Sequence, residues 1–353
     1  MNILITGGCG FVGSNIAICY KKENPNAKIY VFDNLKRRGS ELNLNIFKSL
    51  GIEFIHGDIR NEEDFEGINN IDLIIDASAE PSVTAGIDGG AKQLVNINLF
   101  GTINILNLAV KLDSAFIFLS TSRIYPINNL NEITITESKT RFKISDNQNL
   151  NGISKFGINE KFPLNGYRSI YGATKLAAEL LIQEYQHFYK LKAVINRCGV
   201  IAGPRQMGKV DQGVTVLWVA RHYWKKPLSY FGFGGSGKQV RDVLHIDDLY
   251  DLIKLQMSDM DLFNGQLFNI GGGLNSSFSL LELSQICREV TGNKLEIKKV
   301  EEDRIADIKL YITNNSKITK FCGWTPKRNT KTVVNDIFKW IRTNESKLKD
   351  ILN

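Results

Sequence analysis

Residues Ile3-Leu4-Ile5-Thr6-Gly7-Gly8-Cys9-Gly10-Phe11-Val12-Gly13 carry an apolar strand straight into a glycine-rich turn and the opening of a helix. Gly7, Gly10 and Gly13 fall on a G-x-x-G-x-x-G spacing. A turn without Cβ atoms lets the backbone approach a pyrophosphate. The free N–H groups of the first helical turn, at Phe11 and Val12, favour its negative charge. Lys28–Phe32 reads as the next strand and ends at Asp33, twenty residues past Gly13, with Asn34 following. A carboxylate at that point can accept both hydroxyls of an adenosine ribose. The combination points to a dinucleotide site, whereas the same glycines in a plain β-turn would bind nothing. Asp33 repels a 2′-phosphate and favours NAD over NADP, a preference that Lys36, Arg37 and Arg38 weaken.

Working outward, strand patterns at Asn2–Thr6, Lys28–Phe32, Ile52–His56, Leu73–Ala77 and Ala115–Ser120 alternate with helical patterns. The helices are Val12–Lys22, Glu41–Ser49, a short one near Glu62, and a long one from Ala91 to Leu112. Alternation of this kind predicts an α/β fold, a Rossmann-type doubly wound parallel sheet that binds ligands beyond the C-terminal ends of its strands. The polar stretch 126–168, rich in Asn, Lys, Ser and Gly, interrupts the rhythm and reads as an insertion near the mouth of the site. A helix is expected from Tyr171 to Lys190 and a strand at Ala193–Asn196. Residues 1–197 would thus form the dinucleotide domain. Residues 198–353 would form a smaller C-terminal α/β substrate-binding lobe, with segments free to return to the first domain. That lobe holds a polar loop at Gly203–Gly213 and a helix at Val214–Trp224. Further helices are expected near Asp247–Met257, Ser279–Val290 and Thr332–Thr343.

At 353 residues and 43% hydrophobic, the chain can build a full core. Its net charge of +7 is spread along the sequence, which excludes a long basic tract of the nucleic-acid-binding kind and suits a phosphate-bearing substrate. The five cysteines (9, 19, 198, 287 and 322) form no C-x-x-C pair, and the four histidines are scattered. Neither a disulfide framework nor a metal site is expected. The first strand begins at Asn2, leaving no signal peptide, and no apolar run reads as a bilayer span. A cytoplasmic protein with neither membrane nor nucleic-acid partners is expected.

Tyr171-Gly-Ala-Thr-Lys175 is the second strong feature. Residues four apart share a helix face. An ammonium one turn away favours phenolate, which can take a proton from an alcohol while hydride leaves the same carbon for a nicotinamide. Tyr-x-x-x-Lys alone could equally be an ordinary surface pair. The strand Ala115–Ser120 runs into Ser120-Thr121-Ser122-Arg123-Ile124-Tyr125, placing hydroxyls where ligands bind in this architecture. Thr121 could hydrogen-bond an oxygen that becomes a carbonyl.

With Asp58-Ile59, Asn98 and Gly101-Thr102 added, these motifs resemble the extended short-chain dehydrogenase/reductases, in their nucleotide-sugar epimerase/dehydratase branch, over nearly the whole chain. The resemblance implies that Thr121, Tyr171 and Lys175 form the catalytic triad. It implies that Asp58 and Ile59 hold the adenine and that Ala77, Ser78 and Ala79 line the middle of the cofactor, with Asn98 near them. Asn34 and Cys198 join the cofactor set. The dehydratases of this branch carry Thr-Asp-Glu at the end of the fifth strand, where this chain has Thr121-Ser122-Arg123. Serine and a permanently protonated arginine cannot replace that acid–base pair.

A second departure is Val200, within Arg197-Cys-Gly-Val-Ile-Ala-Gly-Pro204, where most relatives have asparagine. This segment, Gly208–Gly213 and Gly237–Asp242 resemble the CDP-tyvelose (CDP-paratose) 2-epimerases. That resemblance implies a homodimer or homotetramer acting at C2 of a CDP-linked dideoxyhexose. Arg241 would pair with the diphosphate, and Lys209 and Gln239 would join the nucleotide pocket. Glu80, Ser82, Ser122, Arg123 and Val200 complete the expected substrate set. A C4 epimerase using the same residues, a net dehydrogenase, and a non-catalytic dinucleotide-binding regulator are the rival readings.

Overall fold

The computed structural model describes residues 1–87, 89–208 and 212–352. They divide into two compact units of interleaved chain: Met1–Thr121, Ile170–Arg197 and Tyr250–Leu267 in the first, and Ser122–Ser169, Cys198–Leu249 and Phe268–Asn353 in the second.

The first unit is built on β1 (Asn2–Thr6), β2 (Lys28–Asp33), β3 (Glu53–His56), β4 (Leu73–Asp76) and β5 (Ala115–Thr121). The seven-stranded sheet runs Leu267–Ile270, Ala193–Cys198, β5, β4, β1, β2, β3. β1 pairs in parallel with β2 on one side and β4 on the other, Thr6 lying level with both Phe32 and Asp76. Strand order reverses there, which makes this edge the expected ligand crevice. β4 is Leu-Ile-Ile-Asp and buried throughout, as a strand covered on both faces must be. Leu4, Phe32, Ile74, Ile105, Phe116, Phe118 and Ile182 share one core.

The expected helix Ala91–Leu112 is interrupted by a π-helical turn at Asn96–Phe100. Contrary to the sequence expectation, this stretch is long and apolar enough to cross a bilayer, alone among the described residues. It is a core helix nonetheless. Ile105, Leu106, Leu108 and Ala109 pack in the core of the unit, and Asn98 and Thr102 are buried in its hydrogen bonds.

In the second unit, Val240–His245 pairs with Val200–Ala202, Ser277–Ser279 and Leu310–Tyr311. Helix Leu280–Thr291 starts in a capping box between Ser279 and Glu282. The stretch 126–168 belongs here, not to the dinucleotide domain that the sequence suggested. It forms a short helix, Ile127–Asn131, and two small hairpins. Its polar composition conceals sparse anchors. Phe142 packs with Val240, Leu310 and Ile312; Phe162 meets the Tyr125 ring edge-on at 5.6 Å; Arg141 Nε bonds both Glu282 oxygens at 2.8 Å. In the other direction, Tyr250–Leu267 counts with the first unit. There the Tyr250 hydroxyl reaches Glu23 at 2.9 Å, and Gln256 exchanges two 2.9 Å bonds with Asn196.

Candidate active site

The glycine loop is shaped by close packing. Gly7 has φ +63°, and a Cβ there would lie 2.7 Å from the Ala77 carbonyl oxygen; one on Gly13 would lie 2.5 Å from that of Gly7. Helix Phe11–Glu23 opens at Gly10 with no side-chain cap and no acidic residue in its first turn. Its leading N–H groups, Phe11 and Val12 among them, are therefore suited to an anion. Asp33 ends β2 half-buried. Its Oδ2 accepts the Cys9 N–H at 3.0 Å and its Oδ1 that of Leu35 at 2.8 Å. Burial raises its pKa, and those backbone donors oppose the rise. The carboxylate thus fixes the glycine loop as well as offering itself to a ribose. An uncapped helix end, a loop closed to any Cβ and a carboxylate at the next strand end fit an adenine dinucleotide.

At the expected adenine end, Asp58 accepts Arg60 Nε and Nη2 at 2.8 and 2.6 Å and Asn34 Nδ2 at 2.8 Å. The Arg60 guanidinium holds its carboxyl well below the usual range. Asn34 therefore orients Asp58, and Ile59 packs against Gly101. Beyond β4, Ala77 and Ala79 are partly exposed and Ser78 is buried. Asp76, passed over in the sequence, sets this turn by accepting the Ser78 N–H and hydroxyl at 3.1 and 2.5 Å and the Thr6 hydroxyl at 2.8 Å. The amide of Asn98 is engaged by the protein. Its Oδ1 accepts the Glu80 N–H at 2.8 Å, and its Nδ2 donates to the Glu80 carbonyl at 3.1 Å and to Thr174 at 3.4 Å. It positions the turn that carries Glu80; that residue's backbone is held, and the nearby Ser82 is buried.

Thr121 closes β5, and Tyr171 and Lys175 lie one turn apart on helix Ile170–Phe188. All three are buried in the first unit, Lys175 at 2% exposure. The Lys175 ammonium sits 3.9 Å from the centre of the Phe118 ring, a favourable seat for a cation. Buried placement excludes the reading of Tyr171/Lys175 as an ordinary surface pair. Glu179, one further turn along the helix, escaped the sequence reading. Its carboxylate accepts the Ser120 hydroxyl at 2.5 Å and Arg197 Nη2 at 2.7 Å.

Of the expected substrate residues, Ser122 and Arg123 lie in the second unit in the turn after β5, and Val200 opens the strand Val200–Ala202; Cys198, expected in the cofactor set, ends strand Ala193–Cys198. Lys209 falls outside the described residues. Gln239 Nε2 donates to the Phe231 carbonyl at 3.0 Å, and its Oε1 is buried without a partner among the described residues. Arg241, expected to meet the diphosphate, donates its Nη2 to Asp307 at 2.8 Å. Asp242 accepts the Gly273 N–H at 2.9 Å, and burial pushes its pKa up to about 6. Arg304, also unremarked in the sequence, stacks over Phe231 at 4.1 Å. No cluster of His, Cys, Asp and Glu fit to hold a metal occurs among the described residues.

A model of the NAD dependent epimerase/dehydratase family matches residues 3–271. The chain belongs to this family. Its cofactor is NAD, as the Gly7–Gly13 turn and Asp33 indicated. CDP-paratose 2-epimerase of Salmonella typhi is 32% identical over 352 residues, 96% of this chain and 99% of that protein. UDP-glucose 4-epimerase of Halalkalibacterium halodurans is 27% identical over 360 residues, 96% of this chain and 95% of that protein. Among solved structures, Thermotoga maritima UDP-glucose 4-epimerase with UDP-glucose superposes with a TM-score of 0.79 at 25% identity, covering 98% of this chain and 100% of that one.

Proposed function

We propose that this family member epimerises C2 of a CDP-linked 3,6-dideoxyhexose, interconverting CDP-paratose and CDP-tyvelose through a transient 2-keto sugar. The single observation carrying the reading is the burial of Tyr171 and Lys175 on one helix, in a chain whose fifth strand runs into Thr121-Ser122-Arg123. It supplies a base for an alcohol and withholds the acid–base pair of a dehydratase. Full-length similarity to a relative named for this reaction supports the choice of carbon and nucleotide. NAD, when bound, supplies the place where hydride is kept and returned. Tyr171 as phenolate removes the proton of the sugar hydroxyl and later gives it back. Lys175 favours the phenolate by its charge. Thr121 donates to the carbonyl oxygen while it exists. Arg241 meets the diphosphate with a planar fork. Because no net oxidation occurs, the cofactor stays bound. The reading extends to a cytoplasmic homodimer or homotetramer.

Similarity to UDP-glucose 4-epimerases keeps one rival in play. Purified protein is incubated with CDP-paratose and with UDP-glucose, and each mixture is followed by NMR. Inversion at C2 of the CDP-sugar is expected; turnover of UDP-glucose alone overturns the proposal. Tyr171→Phe is expected to keep NAD and lose turnover by at least about a hundredfold.

A further inference from the structure

Phe118 and Ser120 are two apart in β5 and so share one face of the strand. Both meet the helix that bears Tyr171. Phe118 lies under the Lys175 ammonium at 3.9 Å, and Ser120 donates to Glu179 at 2.5 Å. Lys175 and Glu179 are themselves one helical turn apart. Glu179 also accepts Arg197 Nε at 3.2 and 3.0 Å, on its two oxygens, and Nη2 at 2.7 Å. Arg197 lies on strand Ala193–Cys198, the neighbour of β5 in the sheet. The carboxylate is 0% exposed and the guanidinium 5%. One buried anion therefore joins the strand that ends in Thr121, the helix that carries Tyr171 and Lys175, and the adjoining strand.

A buried ion pair is weak evidence for stability, since removing two charges from water costs much of what their attraction returns. Its directional bonds do fix geometry. Helix rotation or sliding would carry Tyr171 and Lys175 with it, and a base displaced by about 1 Å loses much of its rate. We propose that Glu179 is a positioning residue that holds the Tyr171–Lys175 pair in register with Thr121 through its bonds to Ser120 and Arg197. The inference rests on the reading of Tyr171 as the acid–base residue.

Ser120→Ala tests it most cleanly, because the Glu179–Arg197 pair remains to support the fold. We expect kcat to fall about tenfold with KM within about twofold, since the change concerns the reacting geometry alone. Titration of tyrosinate in the near ultraviolet, taken as the difference from Tyr171→Phe, reads the phenol without any sugar. Loosening the helix weakens the hold of Lys175 on the phenolate, so this step should move to higher pH. Tyr20, Tyr185, Tyr223, Tyr230 and Tyr250, all raised by burial, titrate above the ordinary phenol value. Ser120→Thr keeps the hydroxyl and should restore both readouts. The double variant Glu179→Leu/Arg197→Met removes the bonds with no buried charge left behind and should repeat the Ser120→Ala signature. Wild-type titration and kcat in Ser120→Ala, or no rescue by Ser120→Thr, overturns the inference. A wild-type protein that shows the Tyr171 step yet converts no nucleotide sugar breaks the proposed function and leaves the positioning role standing.

Discussion

Each unit contains an arginine paired with a carboxylate, and the two pairs are built differently. Arg197 and Glu179, in the first unit, are 5% and 0% exposed, with both carboxylate oxygens engaged and Ser120 bonded as well. Arg241 and Asp307, in the second, are 14% and 18% exposed, and a second guanidinium nitrogen, Nη1, donates to the Val240 carbonyl. The first pair is closed on every side and is part of the frame. The second is partly exposed, so on the proposed function its carboxylate would yield the guanidinium to the diphosphate. An arginine–carboxylate pair is thus a brace in one place and, on the proposed function, would be a binding group in the other. Burial and the number of bonds decide which.

The contrast is sharpest in Glu179→Ala. It leaves the Arg197 guanidinium buried without this counter-charge and should cost about 3–5 kcal/mol, read as a lowered midpoint in urea. Midpoints that move equally in Glu179→Ala and Asp307→Ala would erase the distinction. Asp242, beside Arg241 in sequence, should behave in the opposite sense to a paired carboxylate. Its pKa is raised from 3.8 to about 6, so the folded state holds a proton that the unfolded state has lost between these values. Stability from this group is full below about pH 4 and disappears as pH climbs to 6. Asp242→Asn should remove that slope, on the order of 3 kcal/mol, in denaturation midpoints compared at pH 4 and pH 7. Arg241→Lys should raise KM about tenfold with little change in kcat and in the melting midpoint, because a point charge replaces a two-pronged contact. A large fall in melting temperature would place Arg241 with the frame instead. Asp307→Asn should have the smallest effect, a change in KM of about two- to threefold that shrinks in high salt, as a partly exposed pair implies.

The legibility of the two units differs for a related reason. Every signal in the first unit is local. The glycines sit three apart, Tyr171 and Lys175 four apart, and buried strands such as Leu73–Asp76 are continuous apolar runs. The central sheet of the second unit is assembled from Val200–Ala202, Ser277–Ser279 and Leu310–Tyr311 around Val240–His245, pieces too short to show a period. The polar run 126–168 concealed its few anchors, Phe142 and Phe162, among asparagines and lysines. Glu179 looked like one more charge on an amphipathic helix, because Arg197 is a strand residue eighteen positions away and nothing in the spacing joins them. Asn98 was expected near the middle of the cofactor, and its hydrogen bonds go to the turn at Glu80 and to Thr174.

The interleaving of the chain has a consequence for biosynthesis. A polypeptide leaves the ribosome from its N-terminus, and contiguous domains can close as soon as they emerge. Here the nucleotide-binding half needs Ile170–Arg197 and Tyr250–Leu267 as well as the first 121 residues. A nascent chain stalled before Tyr250 would still lack the partners of Asn196 and Glu23 and should remain sensitive to protease, however complete its opening strands.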